Sequence, residues 1–159
     1  MRHSYKSLTK KQKNMKVLFF ALSLAFTVAT TSANAVDSKT IPAIMKSFGT
    51  KFPAAKDIKW NNTDDFLIVE FKLNNKLNFA YYNQESELIV QATHITASEL
   101  KPSLQKQLAK RYKDYTIADV YVLNDRDEVK FSAVAVKDGE KLILSSTGTK
   151  WQVIKKVKN

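Results

Sequence analysis

The sequence predicts an α+β domain in which two repeated helix-plus-antiparallel-meander units form one sheet with both helices on one face. Three observations carry this. Residues 41–48 and 100–112 repeat apolar side chains at helical spacing. The stretches after each of them alternate apolar and polar with period two, the mark of half-buried strands. The order of signals then recurs: Pro42, a strand near Ile58, a turn at Asn74-Asn75 and a last strand at 88–90 are matched by Pro102, a strand from Ile117, a turn at Asp138-Gly139 and a last strand at 151–154. Order and period, rather than residue identity, support duplication, with repeats at about 38–95 and about 96–157.

Ahead of this domain stands a different kind of segment. Lys10, Lys11, Lys13 and Lys16 form a positive run, followed by apolar residues at 17–29 and then Ala33-Asn34-Ala35. An apolar run of about a dozen residues is too short to span a bilayer core, and small residues two positions apart suit a signal peptidase. Residues 1–35 therefore read as a signal peptide cut after Ala35, with residues 36–159 as the exported domain in the periplasm or secreted. Met15 is an alternative start to Met1. A buried core helix or an uncleaved anchor are the competing readings of the apolar run. Residues 1–35 hold six of the 26 basic residues and none of the 15 acidic ones, so the remainder carries +5 rather than +11. Much of the basic excess is thus leader, the other lysines are scattered, and no nucleic-acid partner is expected. No cysteine occurs, which removes disulfides and a lipidated N-terminal cysteine together. After cleavage no stable membrane anchor is expected.

The elements follow in order. Ile41, Ile44, Met45 and Phe48 make one helical face, with Ser38 or Thr40 as cap, Pro42 in the first turn and Gly49 as stop. Leu67, Val69, Phe71 and Leu73 then alternate with Ile68, Glu70 and Lys72, and Asn74-Asn75 suits a two-residue hairpin. In the return strand Leu77, Phe79 and Tyr81 are assigned to one face, Asn78, Ala80 and Tyr82 to the other. A further strand runs over 87–95. Thr96 and Glu99 have capping-box spacing, although Pro102 places the regular helix after it; Leu100, Leu104, Leu108 and Tyr112 recur every fourth residue. Strands over 116–123, 128–136, 141–146 and 151–157 close the chain, joined by turns at 124–127, 137–139 and 147–150.

The stretch "KFPAAKDIKW", then "FLIVEFKLNNKLNFAYYNQESELI", then "HITASELKPSLQKQLAKRYKDYTIADVYVL" resembles the PepSY-like, β-lactamase-inhibitor-like family of exported bacterial proteins. The resemblance covers nearly all of residues 36–159. It rests on Phe52, Pro53 and Trp60, on Leu100–Lys101–Pro102, and on Tyr112, Tyr115 and Ile117; Lys101 departs from the Leu-Pro the family would show. It implies two helix-plus-sheet units, an exported protein and no established catalytic activity. A shared fold transfers no target.

Chemistry is sparse. His94 is the one histidine beyond residue 35, no G-x-S-x-G surrounds a serine, and no glycine-rich phosphate loop occurs. His94 reads as a strand-end imidazole bonded to backbone or water, and a zinc site would need carboxylates alone beside it. Asp64-Asp65, Glu85, Glu87, Asp125, Asp127 and Glu128 sit at turns, where acids cap the backbone. "NDRDE" lacks the glycine and distal glutamate of a calcium loop. No catalytic residue, metal or cofactor is expected.

What remains is surface. With helices on one face, alternation gives the other face Ile68, Glu70, Lys72, Ala80, Tyr82, Asp119 and Tyr121. Ile68, Glu70, Lys72, Tyr82, Asp119 and Tyr121 are the candidate binding residues for a protein, peptide or cell-envelope component, since aromatic anchors with mixed charge suit such a partner. A merely solvated face is the competing reading. Trp60, Phe71, Phe79, Phe131 and Trp151 are expected in the core. The expected function is a non-enzymatic exported binding module. Two other classes remain open: a small cystatin-like or nuclear-transport-factor-like ligand-binding or hydrolytic domain, and a purely structural envelope protein.

Overall fold

The structure, a computed structural model, describes residues 39–158 apart from 64, 126 and 127. The leader, its cleavage point and the alternative starts lie outside the described residues. Helix α1 (Ile41–Lys51) is followed by strands β1 (Lys56–Asn62), β2 (Leu67–Leu73), β3 (Lys76–Tyr82) and β4 (Leu88–Ile95). A 3-10 turn (Ala97–Glu99) leads into helix α2 (Pro102–Arg111), and β5 (Thr116–Asp125), β6 (Glu128–Lys137), β7 (Glu140–Ser146) and β8 (Gln152–Lys158) complete the order. All eight strands form one open sheet in sequence order, antiparallel throughout, with β1 and β8 at its edges.

Local sequence explains most boundaries. Pro42 pre-sets the first turn of α1, while Thr40 makes no side-chain cap. The helix runs through Gly49, the expected stop, to Lys51. Phe52 N–H still donates to Phe48 O at 2.8 Å, and Phe52 then leaves helical space at φ −128° because Pro53 follows it. Asn74 and Asn75 both adopt positive φ, 52° and 60°, as a two-residue hairpin requires, and Asp138 and Gly139 do the same between β6 and β7 at 47° and 77°. Asn83 Oδ1 accepts the N–H groups of Glu85 and Glu87 at 3.1 and 2.9 Å, closing the β3–β4 turn. The Thr96–Glu99 capping box forms, but on the 3-10 turn; α2 begins at Pro102. Strand β5 continues through Asn124 and Asp125, which were expected in the turn.

Among the described residues, one core lies under each of α1 and α2. Ile44, Phe48 and Phe52 pack on Leu67, Val69, Phe71, Ala80 and Tyr82. Leu104, Leu108 and Tyr112 pack on Val120, Ala133, Ala135, Leu142, Leu144 and Trp151. Trp151 is wholly buried and its indole N–H donates to Leu104 O at 3.1 Å, fixing the last strand to α2. Both helices share one sheet face, because directly opposed residues project to the same side: Asn78 faces Thr93, Thr93 faces Val122, and Val122 faces Phe131. Between the helices that face is polar. The buried Asn78 accepts from Thr93 Oγ1 at 2.7 Å and Gln91 Nε2 at 3.2 Å, and its own Nδ2 donates to Lys76 O at 2.8 Å.

Register corrects the facing of β3. The two-residue turn pairs Leu73 with Lys76, so odd residues of β2 oppose even residues of β3: Leu67 faces Tyr82 and Val69 faces Ala80. Tyr82 and Ala80 therefore lie beneath α1, not on the far face. Leu77, Phe79 and Tyr81 lie on the far face with Lys72, Glu70 and Ile68. Phe79 is accordingly buried, but on the side away from the helices. Trp60 is not core either. It stands on the edge strand, 38 % exposed, with its ring edge-on to Phe48 at 5.4 Å. Phe71 and Trp151 are core as expected, and Phe131 is a half-buried neighbour of the second core.

Candidate functional site

The sheet face away from the helices is built by β2 to β7. Following the pairs across it, Ile68 faces Tyr81, Tyr81 faces Val90, Phe79 faces Ala92 and Ala92 faces Leu123; His94 faces Tyr121, Tyr121 faces Ser132, and Val134 faces Ile143. Ile68, Phe79, Tyr81, Val90, Leu123, Val134 and Ile143 are all buried. The expected wet face of mixed charge is instead a stripe of buried apolar side chains. Ring contacts knit its centre: Phe66 lies edge-on to Tyr81 at 6.4 Å, and Tyr121 meets Phe79 at 6.0 Å and His94 at 5.2 Å.

Charge sits at the margins. Lys59 Nζ lies 3.0 Å from Glu70 Oε1 and Lys72 Nζ lies 2.8 Å from Asp57 Oδ2. The hydrogen bond between Lys72 and Asp57 holds the Asp57 carboxyl below its ordinary range and raises the Lys72 ammonium. His94 Nε2 stands 3.3 Å from Asp119 Oδ1. On β6 the buried Lys130 reaches Glu128 at 2.9 Å and Asp125 at 3.8 Å. That ammonium accounts for two of the acids of "NDRDE", and among the described residues no group of three or more histidines and acids could hold a metal ion.

The six predicted binding residues thus divide. Ile68, Glu70, Lys72, Asp119 and Tyr121 share the far face, and Tyr82 does not. Of the five, Lys72 is exposed, Glu70 and Asp119 are half-buried, and Ile68 and Tyr121 are buried. Sequence reasoning missed Phe79, Tyr81, Leu123, Val134 and Ile143. The signal for Phe79 and Tyr81 was present, since a two-residue turn fixes parity across a hairpin. His94, expected as a strand-end imidazole, stands with its Nε2 3.3 Å from Asp119 Oδ1 on the adjacent strand.

Two phenols on this face are pushed well above their ordinary values. Burial alone raises Tyr81, and burial followed by the Asp119 charge raises Tyr121. The Tyr81 hydroxyl is buried with no hydrogen-bond partner. A buried hydroxyl without a partner costs free energy that packing must offset, and such groups are uncommon. Chemically the face consists of buried aromatic and aliphatic side chains, with one unpartnered buried hydroxyl among them and ion pairs around them. His94 has a carboxylate but, among the described residues, no hydroxyl nucleophile bonded to it.

No protein-family model matches the chain, and no curated protein matches it. Solved structures do. A BLIP-like protein from Bacteroides fragilis NCTC 9343 superposes with TM-score 0.63 at 19 % identity, over 74 % of this chain and 86 % of that one. A DUF2874 family protein from Bacteroides uniformis ATCC 8492 gives 0.64 at 14 %, over 72 % and 86 %. A candidate periplasmic protein from Bacteroides eggerthii DSM 20697 gives 0.62 at 14 %, over 70 % and 86 %. No described helix is long and apolar enough to cross a membrane. At these identities the likeness shows the fold alone, and that fold is the BLIP-like one: an open eight-stranded antiparallel sheet carrying two helices.

Proposed function

We propose that the protein is an exported, non-enzymatic binding module that holds a protein, peptide or cell-envelope component against the sheet face away from α1 and α2. One observation carries the reading. An antiparallel sheet covered by helices on one side ordinarily turns polar residues to the other. Here that other side carries Ile68, Phe79, Tyr81, Tyr121, Leu123 and Ile143, with ion pairs confined to the border. An apolar aromatic centre inside a charged rim is the anatomy of a binding patch, the centre supplying affinity and the rim orientation.

Export rests on the leader pattern of residues 1–35, with cleavage after Ala35 releasing the domain into the periplasm or the medium. The non-enzymatic reading rests on the sequence, which has no cysteine and no G-x-S-x-G around a serine. Where the partner is itself an enzyme, occupancy of this face would inhibit it. The succession of one helix and four strands, met twice in the chain, is consistent with duplication of a single unit.

The test selects peptides from a displayed random library on residues 36–159 and maps the winners by backbone amide shifts. Shifts centred on Ile68, Tyr81, Tyr121 and Leu123, with affinity reduced at least tenfold by Tyr121→Ala, are the expected result. Selected peptides that shift only helix amides, or bind the variant unchanged, overturn the assignment of this face.

A further inference from the structure

A groove lies beside α2, on the opposite side of the sheet. One flank of α2 is engaged with the β7–β8 connection: Gln107 Nε2 donates to Thr149 O at 2.7 Å and Arg111 Nη1 to Trp151 O at 3.3 Å. At 100° per residue, Ala109 and Lys106 fall on the opposite flank, and Lys113 follows the end of the helix. The groove there has a volume of about 640 Å³. Leu108, Ala109, Tyr112 and Ile117 are its apolar lining, and Lys106 and Lys113 its charged lining. One end is fixed by Gln105, whose Nε2 donates to Ser98 O at 3.0 Å and Leu100 O at 2.7 Å. None of the described residues lining the groove is acidic. The nearby Glu99 is already held by Lys76 and by Thr96 N–H.

We propose that this groove binds a single-chain amphiphilic carboxylate of the long-chain fatty-acid type, its tail on the apolar lining and its carboxylate on Lys106 or Lys113. Three features favour that chemistry. The volume lies within the range of small-molecule sites, about 300–1,000 Å³. The apolar lining of Leu108, Ala109, Tyr112 and Ile117 suits an alkyl chain, and the two charged side chains of the lining, Lys106 and Lys113, are both ammonium groups, which favours an anion over a cation. The charge balance of the chain points the same way. Residues 36–95 hold seven basic and seven acidic residues, whereas residues 96–159 hold thirteen and eight, so all of the +5 beyond the leader belongs to the half that carries α2. This site is separate from the sheet face proposed above, and either can fail without the other.

The experiment titrates the isotope-labelled protein with sodium decanoate, sodium dodecanoate and dodecyltrimethylammonium, each below its micelle-forming concentration, following backbone amides. Saturable shifts at Ala109, Lys113 and Ile117 are expected for the carboxylates. Affinity should rise about fourfold from decanoate to dodecanoate, as half-burial of two more methylenes implies. Lys106→Glu combined with Lys113→Glu should weaken dodecanoate at least tenfold and strengthen the cationic amphiphile, and Ala109→Trp should fill the groove and abolish both. Spectral dispersion of each variant verifies that it is folded. No saturable shift at millimolar dodecanoate, equal affinity for the two head groups, or indifference to Ala109→Trp each overturns the proposal.

Discussion

Replacing Tyr81 by phenylalanine should stabilise the protein, the opposite of what removing a tyrosine hydroxyl usually does. A bonded hydroxyl contributes about 1 kcal/mol, so its loss is ordinarily destabilising. Tyr81 is 0 % exposed and its hydroxyl has no partner, so the native state bears a desolvation cost with no compensating bond. Deleting the oxygen should recover about 1–2 kcal/mol. For a domain of this size that corresponds to a rise in Tm of about 4–8 °C. Alkaline pH gives an independent reading. Burial raises the Tyr81 phenol above its ordinary 10.0, so the folded state retains the proton more tightly than the unfolded chain. Stability from this group is then complete below pH 10 and lost as pH rises above it, at about 1.4 kcal/mol per pH unit for one proton. Tyr121 behaves alike, so Tyr81→Phe should leave its share of the alkaline slope and remove that of Tyr81. Urea unfolding of wild type and variant at pH 7 and across pH 10–11.5 measures both effects. A variant less stable than wild type by 0.5 kcal/mol or more, roughly half an ordinary hydrogen bond, or one with an unchanged alkaline slope, refutes the reasoning: the oxygen would then have a partner.

Three further outcomes follow from other parts of the fold. Asn78→Ala leaves the Thr93 hydroxyl and the Gln91 amide without their shared acceptor, and should cost about 1–3 kcal/mol in chemical denaturation. Trp151→Ala empties a wholly buried indole site and frees Leu104 O, so about 3–5 kcal/mol should be lost, with weakened protection of α2 amides in hydrogen exchange. Lys76 first, then the backbone and hydroxyl of Thr96, hold the Glu99 carboxyl down to about 2 from an ordinary 4.5. Its contribution is therefore present above pH 4.5 and lost as pH falls toward 2, and Glu99→Gln should flatten the acid unfolding profile in that window.

Periodicity made the elements legible. Each helix and strand announced itself by spacing of three to four or of two, and the turns by Asn-Asn and Asp-Gly at positive φ. Facing was harder. Assigning Leu77, Phe79 and Tyr81 beneath the helix follows the rule that bulky apolar residues go to the core, but Leu73 opposite Lys76 reverses it. Register outranks hydrophobicity once the turn length is fixed, and both alternating sets of β3 are apolar enough to be buried. That is why Tyr82 was misplaced and the apolar stripe missed. The His94–Asp119 pair could not be read at all, because it depends on β4 lying beside β5 although a helix separates them in the chain. Trp60 failed as a core residue for a related reason: its strand is an edge, and composition carries no record of where a sheet ends.

The two cores close at different points along the polypeptide. The first draws on nothing beyond Leu88, whereas the second waits for Trp151. A chain that emerges N-terminus first from a ribosome or a translocation channel can therefore bury the aromatic cluster of its leading half while the trailing half is still threaded. The trailing half has no such shelter: until its final hairpin arrives, α2 lacks the indole that anchors it. Vectorial synthesis should accordingly populate a half-built intermediate, and truncations ahead of Trp151 should trap it.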